Sequence, residues 1–207
     1  MTKALRDIHN LGFLHLDIKP NNILTSYVKD TTNGELVKLD GLTKNIFLID
    51  FGCCQEYRMK PKPQEIEQRH RERQFESKVV GCGIFQSYEA MRFLTQSRRD
   101  DLISMVYTLV YLANGETKWA FEHIRDEDEQ EREIMKFKKK ASPAEICQGD
   151  SLPLAPILEI IYGLSYDEEP DYDKIVKTFI KQILELDIAP STKNYDWVSN
   201  PKFLCNR

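Results

Sequence analysis

The stretch Phe13-Leu14-His15-Leu16-Asp17-Ile18-Lys19-Pro20-Asn21-Asn22-Ile23-Leu24 constrains this chain more than any other. It sets an acid, a base and a carboxamide on a short loop between two apolar runs. Pro20 keeps that loop from becoming helix, because proline lacks a backbone donor and pushes the residue before it out of the helical region. A second stretch, Ile46-Phe47-Leu48-Ile49-Asp50-Phe51-Gly52, ends a strand-like apolar run with an acid and a glycine. Side by side in a fold, two such loops aim two carboxylates and one Asn at a shared point. That set suits magnesium-assisted phosphoryl transfer: oxygen ligands hold the metal, a further carboxylate faces the attacking hydroxyl, and a lysine neutralises phosphate charge. Taken singly, Asp17 reads as a turn-former and His15 as a packed core histidine. The pairing of the two stretches, in this order, carries the functional reading.

The other readings concern what the chain is not. Its 207 residues, 41% hydrophobic and 10% aromatic, suffice for one good core. A net charge of −4 gives no reason to expect nucleic acid or an anionic membrane as a partner. The basic stretch from Arg58 to Lys78 holds only Tyr57 and Phe75 nearby as aromatics, too few for a stacking platform. No apolar run approaches a membrane span, and MTKALRDIHN lacks a secretory apolar core. Five cysteines (Cys53, Cys54, Cys82, Cys147, Cys205), an odd number without a C-x-x-C, argue against a disulfide framework or a zinc site. A reduced, intracellular protein is expected, cytoplasmic with the nucleus as a second address.

Along the chain, Ala4, Leu5, Ile8 and Leu11 share a helical face that Gly12 ends. Asn33-Gly34 between Ser26-Tyr27-Val28 and Leu36-Val37 predicts a hairpin. After Gly52 the charged stretch is expected as a solvated loop, with Gln64 to Phe75 a short helix. Gly81-Cys82-Gly83-Ile84-Phe85-Gln86 misses the last glycine of G-x-G-x-x-G and follows no strand, so it is no nucleotide loop. Asp101 to Ala113 is apolar around most of its circumference and predicts a buried central helix, closed by Asn114-Gly115. The acidic run 126–133 followed by Lys136, Lys138, Lys139 and Lys140 predicts a helix with a solvated face. Ser142-Pro143-Ala144-Glu145 is a capping box, and Leu154 to Leu164 predicts a further helix. Tyr172, Ile175, Val176, Phe179, Ile180 and Ile183 predict a core-facing last helix capped by Asp171.

His15-Leu16-Asp17-Ile18-Lys19-Pro20-Asn21-Asn22 and Asp50-Phe51-Gly52 resemble the protein-kinase catalytic loop H-R-D-L-x-x-x-N and its D-F-G. Ser97-Arg98-Arg99-Asp100-Asp101-Leu102, Gly115-x-x-x-Trp119 and Asp167-Glu168-Glu169-Pro170-Asp171-Tyr172 narrow the resemblance to the casein kinase I family of Ser/Thr kinases. It runs in order from about Leu5 to about Trp197. The fold it implies is mainly α with a few short β-strands, the C-terminal (large) lobe of a protein kinase spanning 1–186. Within it fall a catalytic loop (13–24), a D-F-G segment (46–52), an activation segment (53–91) and a helical remainder (92–186). A tail at 187–207 is expected to pack on the lobe. The implied cofactors are ATP and Mg²⁺, and the implied partner is a protein bearing the Ser or Thr to be phosphorylated. By the resemblance Asp17 orients and deprotonates the substrate hydroxyl, Lys19 meets the γ-phosphate, and Asn22 and Asp50 hold magnesium. Lys19, Asn22 and Asp50 thus bind the nucleotide, while His15 and Asp101 are structural supports.

The sequence also departs from that family. Leu16 replaces the catalytic-loop Arg, Ile84 stands where an arginine helps to bind phosphate, and the run at 126–129 is acidic where the family is lysine-rich. Only fourteen residues precede His15, and no glycine-rich loop or V-A-I-K-like string occurs in the 207 residues. These residues are therefore expected to form a truncated large lobe with little or no catalysis alone. The alternative expectation is a non-catalytic kinase-lobe module whose exposed small-lobe-facing surface is covered by a protein partner.

Overall fold

The computed structural model describes residues 1–25, 27–29, 36–38, 46–59, 69–77, 81 and 83–186. The expected tail at 187–207 lies outside them. The described residues are mainly helical with a few short strands, as the sequence predicts, and no helix among them is long and apolar enough to cross a membrane.

The organising element is a helix spanning Arg98–Asn114 (α3 in chain order). Ser97 and Asp100 close a reciprocal capping box at its start, and Gly115, at φ 79°, turns the chain off its end in the left-handed conformation that costs glycine least. Almost every residue from Arg98 to Val110 is buried. Such a helix needs cover on all sides, and α1 (Thr2–Asn10), α6 (Ala155–Tyr162) and a 3₁₀ turn at Gly149–Leu154 pack against it. The last helix, α7 (Tyr172–Glu185), lies against α1 and α6. Leu5, Leu102, Met105, Trp119, Ile157 and Ile175 are fully buried at the centre of this cluster.

The strands form three two-stranded antiparallel ladders. β1 (Phe13–Leu14) pairs with β6 (Gln55–Glu56), and β2 (Ile23–Thr25) pairs with β5 (Ile46–Leu48). β3 (Tyr27–Lys29) pairs with β4 (Leu36–Lys38), with Val28 opposite Val37, which is the predicted hairpin. Its Asn33-Gly34 turn lies outside the described residues.

Four expectations are corrected. On α1 the buried residues are Thr2, Leu5 and His9, whereas Leu11 is exposed. The face turns because α3 and α7 approach from the side on which His9 lies. The described part of the proposed 64–75 helix, residues 69–75, is not helical and is bridged through His70 to Arg58 and through Phe75 to Leu94. Ile180 and Ile183 of α7 are exposed rather than core, because the second half of α7 runs past the cluster that buries Tyr172 and Ile175.

The fourth correction is Lys138. α4 (Glu127–Lys140) has the predicted acid-to-base polarity and an Asp126 cap, yet Lys138 is only 4% exposed. Its Nζ donates to the carbonyl oxygens of Gly83, Ile84 and Gln86 at 2.8, 2.8 and 2.7 Å. It also lies 4.9 Å from the centre of the Tyr107 ring. An ammonium is tolerated out of water when charge-assisted acceptors and an aromatic face replace its hydration. Lys138 thereby anchors the backbone beside Ile84, whose side chain packs on the core.

Candidate functional site

The stretch 15–22 is suspended between two ladders, β1/β6 before it and β2/β5 after it. Between them Pro20 opens a 3₁₀ turn, Pro20–Asn22, and Ile18 inserts into the core. The loop is not relaxed: Leu16 has φ 65°, and Asp50 in the facing stretch has φ 63°. Non-glycine residues in that region persist only where surrounding contacts over-determine them.

For Leu16 those contacts come from α3. Asp101, 1% exposed, accepts the His15 N–H at 2.7 Å through Oδ2 and the Leu16 N–H at 2.8 Å through Oδ1. Thr108, two turns on, donates to the Ile18 carbonyl at 3.3 Å. His15 is fully buried, with Nε2 3.1 Å from the Ile49 carbonyl and its ring 5.0 Å from the ring of Phe51. The Ile49 N–H in turn donates to the Asn22 carbonyl at 3.0 Å. These contacts bring the two stretches side by side.

Three of the four predicted site residues converge on one atom, Asp17 Oδ2. Lys19 Nζ lies 2.7 Å from it and Asn22 Nδ2 3.0 Å, and the same Asn22 nitrogen donates to the Asp17 carbonyl at 2.8 Å. Asp17 and Asn22 are buried, and the Lys19 side chain is about a third exposed. Because the Asn22 amide nitrogen is committed to Asp17, the planar carboxamide directs its oxygen the opposite way. Asp50 is exposed; its Oδ1 accepts the Gly52 N–H at 3.2 Å and caps the turn Phe51–Cys53. Its side chain makes no contact with Asp17, Lys19 or Asn22 among those found in the described residues; the backbone link through Ile49 carries it to them.

No group of three or more His, Cys, Asp or Glu side chains able to hold a metal occurs among the described residues. One carboxylate (Asp50) and one carboxamide oxygen (Asn22) fit Mg²⁺, which uses few protein ligands and completes its shell with water and phosphate oxygens. Beside α3's first turn, burial raises the pKa of Asp100, opposed by hydrogen bonds from the Ser87 hydroxyl at 2.5 Å and the Ser97 N–H at 2.7 Å.

Gly81 seals the loop from the other side. At φ 105°, a Cβ on it would stand 2.5 Å from the Leu16 carbonyl oxygen. Gly81→Ala is therefore expected to lower stability by about 2 kcal/mol or more, the sum of a glycine-only backbone and a backbone collision. Urea unfolding measures it; an unchanged midpoint would show that the loop can yield.

Two of the basic side chains after Gly52 meet acids: Arg71 pairs with Glu76 at 2.8 Å, and Arg73 with Glu89 at 2.5 Å. His70 lies among them with Nδ1 2.8 Å from the Arg71 carbonyl, which makes Nδ1 the donor and leaves buried Nε2 without a partner. Burial lowers its pKa below the ordinary 6.5. Above 6.5 both folded and unfolded chains hold it neutral and its contribution is complete. As pH falls below 6.5 the unfolded chain takes the proton first, and stability is lost. The urea midpoint is expected to fall between about pH 7 and pH 5, and to fall less in His70→Asn.

His9 and Tyr172 escape sequence reasoning. His9 Nε2 stands 2.9 Å from Asp101 Oδ2, and His9 Nδ1 stands 2.6 Å from the Tyr172 hydroxyl. The available signal was an ionisable residue at i+7 from Thr2 and i+4 from Leu5, immediately before the loop.

The sequence has relatives. A family model described as "Protein kinase domain" matches residues 1–191. The chain belongs to the protein kinase family. Within that family it is casein kinase I-like. It is 28% identical over 206 residues to "Casein kinase I homolog 3" of Saccharomyces cerevisiae, covering 96% of this chain and 38% of the relative. It is 29% identical over 175 residues to "Casein kinase 1-like protein HD16" of Oryza sativa subsp. japonica, covering 84% of this chain and 22% of the relative. The chain thus spans well under half the length of these relatives.

Proposed function

We propose that this chain is the large lobe of a Ser/Thr protein kinase of casein kinase I type, transferring the γ-phosphoryl group of ATP to a protein hydroxyl. The observation that carries the reading is the Asp17 carboxylate, held by Lys19 and Asn22 on a loop that Asp101 fastens. Asp17 accepts the proton of the attacking Ser or Thr hydroxyl as its oxygen bonds to phosphorus and the bond to the ADP oxygen breaks. Lys19, within reach of Asp17, neutralises charge on the transferred group. Asn22 and Asp50 hold magnesium, which when bound offsets phosphate charge and orients the nucleotide. The lobe spans 1–186, with the catalytic loop at 13–24, the D-F-G segment at 46–52, the activation segment at 53–91 and the helical remainder at 92–186. The 207 residues alone are inactive in this reading, since they contain neither a glycine-rich phosphate loop nor the Lys–Glu pair of active kinases.

The test joins the chain to the ATP-binding small lobe of a casein kinase I relative and measures phosphate transfer to casein beside an Asp17→Asn control. Equal signals from the two would sink the proposal. A second reading, a non-catalytic interaction module, draws on one observation. An apolar groove of about 520 Å³ runs beside β2 and β5, lined by Ile23, Ile46, Leu112, Leu154, Phe179 and Ile183 among others. Under that reading, affinity capture retrieves a stoichiometric protein partner that Leu112→Glu abolishes, and the Asp17→Asn fusion is as active as its parent.

A further inference from the structure

Asp101 has two carboxylate oxygens and three donors around it: the N–H groups of His15 and Leu16, and His9 Nε2. The third donor is itself held. His9, 1% exposed, presents Nδ1 to the Tyr172 hydroxyl at 2.6 Å, and Tyr172 is the first residue of α7, 163 positions further along the chain. Tyr172 is buried too, at 6% exposure. Its surroundings push its pKa up, chiefly through burial, so the hydroxyl keeps its proton. The Asp101 carboxylate can only accept, so His9 Nε2 carries a proton, and the Tyr172 hydroxyl meets the ring's other nitrogen. The Tyr57 hydroxyl donates to the His9 carbonyl at 2.8 Å and holds the same turn of α1 in place.

We infer that Tyr172 is a positioning residue for the catalytic loop: its hydroxyl, bonded to His9 Nδ1, holds the imidazole in the orientation whose Nε2 donates to Asp101, and so steadies the carboxylate that captures the His15 and Leu16 amides. The first turn of α7, remote in sequence from the loop, thus sets how firmly Leu16 is kept at φ 65°. Without the hydroxyl, His9 keeps its bond to Asp101 but loses the anchor on its other ring nitrogen. A ring held at one nitrogen rotates more freely, which loosens the hold of Asp101 on both amides. The inference rests on the kinase reading only for its consequence in catalysis; the coupling itself is a property of the folded chain.

The experiment compares the 207-residue chain with Tyr172→Phe, which removes one oxygen and keeps the ring. Amide hydrogen exchange is followed at His15 and Leu16, with Met105 and Val110 of α3 as internal references. Loss of one buried hydrogen bond, transmitted to the loop, is expected to speed exchange at His15 and Leu16 by about fivefold to tenfold and leave the α3 amides unchanged. The ¹⁵N shift of His9 Nδ1, which reports its hydrogen bond, is expected to move in the same variant. Unchanged exchange at His15 and Leu16 overturns the inference, and so does a uniform rise at all four amides, which marks general destabilisation. Tyr172→Phe in the small-lobe fusion separates this inference from the kinase reading. Selective exchange without Asp17-dependent activity keeps the coupling and removes the kinase; Asp17-dependent activity with unchanged exchange does the reverse.

Discussion

Asp17→Asn, carried in the small-lobe fusion, is expected to lose phosphoryl transfer by about 10²- to 10⁴-fold, the usual worth of a positioned general base. The substitution keeps the shape of the side chain and removes its charge and its ability to take a proton. The fold is expected to tolerate it, because the partners of Asp17 are a partly exposed lysine and a neighbouring carboxamide. The expected signature is therefore a fall in kcat and kcat/KM together, with little change in KM for ATP and in the melting temperature. A matching fall in melting temperature would reassign Asp17 from chemistry to structure.

Asp101→Ala is expected to produce the largest loss of stability of any single change at the site, about 3–5 kcal/mol, as when one partner of a buried charged network is removed. It orphans two buried backbone N–H groups, each costly to leave unpaired, and it removes the acceptor of His9. For a domain of this size that corresponds to a drop on the order of 10 °C in the melting temperature. Asp101→Asn is expected to fall between the two, because its single remaining oxygen can serve only one side of the network. Thermal unfolding followed by circular dichroism measures both variants. A melting temperature within about 2 °C of the parent for Asp101→Ala, less than 1 kcal/mol on the same scale, would mean that the β1/β6 and β2/β5 ladders hold the loop without it.

Much of the fold was legible. The capping box Ser142–Glu145, the Asp171 cap, Asn114-Gly115 and the pairing of β3 with β4 are written in local chemistry, and local chemistry travels with the sequence. Ile180, Ile183 and Leu11 mislead because apolar periodicity marks a face without saying what covers it. Lys138 misleads in the opposite direction. A lysine in a run of lysines reads as solvated, and only the approach of the Gly83–Gln86 backbone to α4 offers it three carbonyls. Residues 69–75 fall within the expected 64–75 helix, yet bridges within the chain to Arg58 and Leu94 hold them out of it.

At the site the division follows sequence separation. The sequence by itself determined the family and the set Asp17, Lys19 and Asn22, since the three lie within six residues and meet through short-range contacts. It also named Asp101 as the acid that supports the loop. Only the tertiary structure decided how that acid's two oxygens are shared. Their donors come from α1, from the loop at His15 and Leu16 and, through His9, from α7, at separations of 85 to 163 residues. A buried carboxylate takes whichever donors packing brings within reach, and a linear order of residues does not contain that packing.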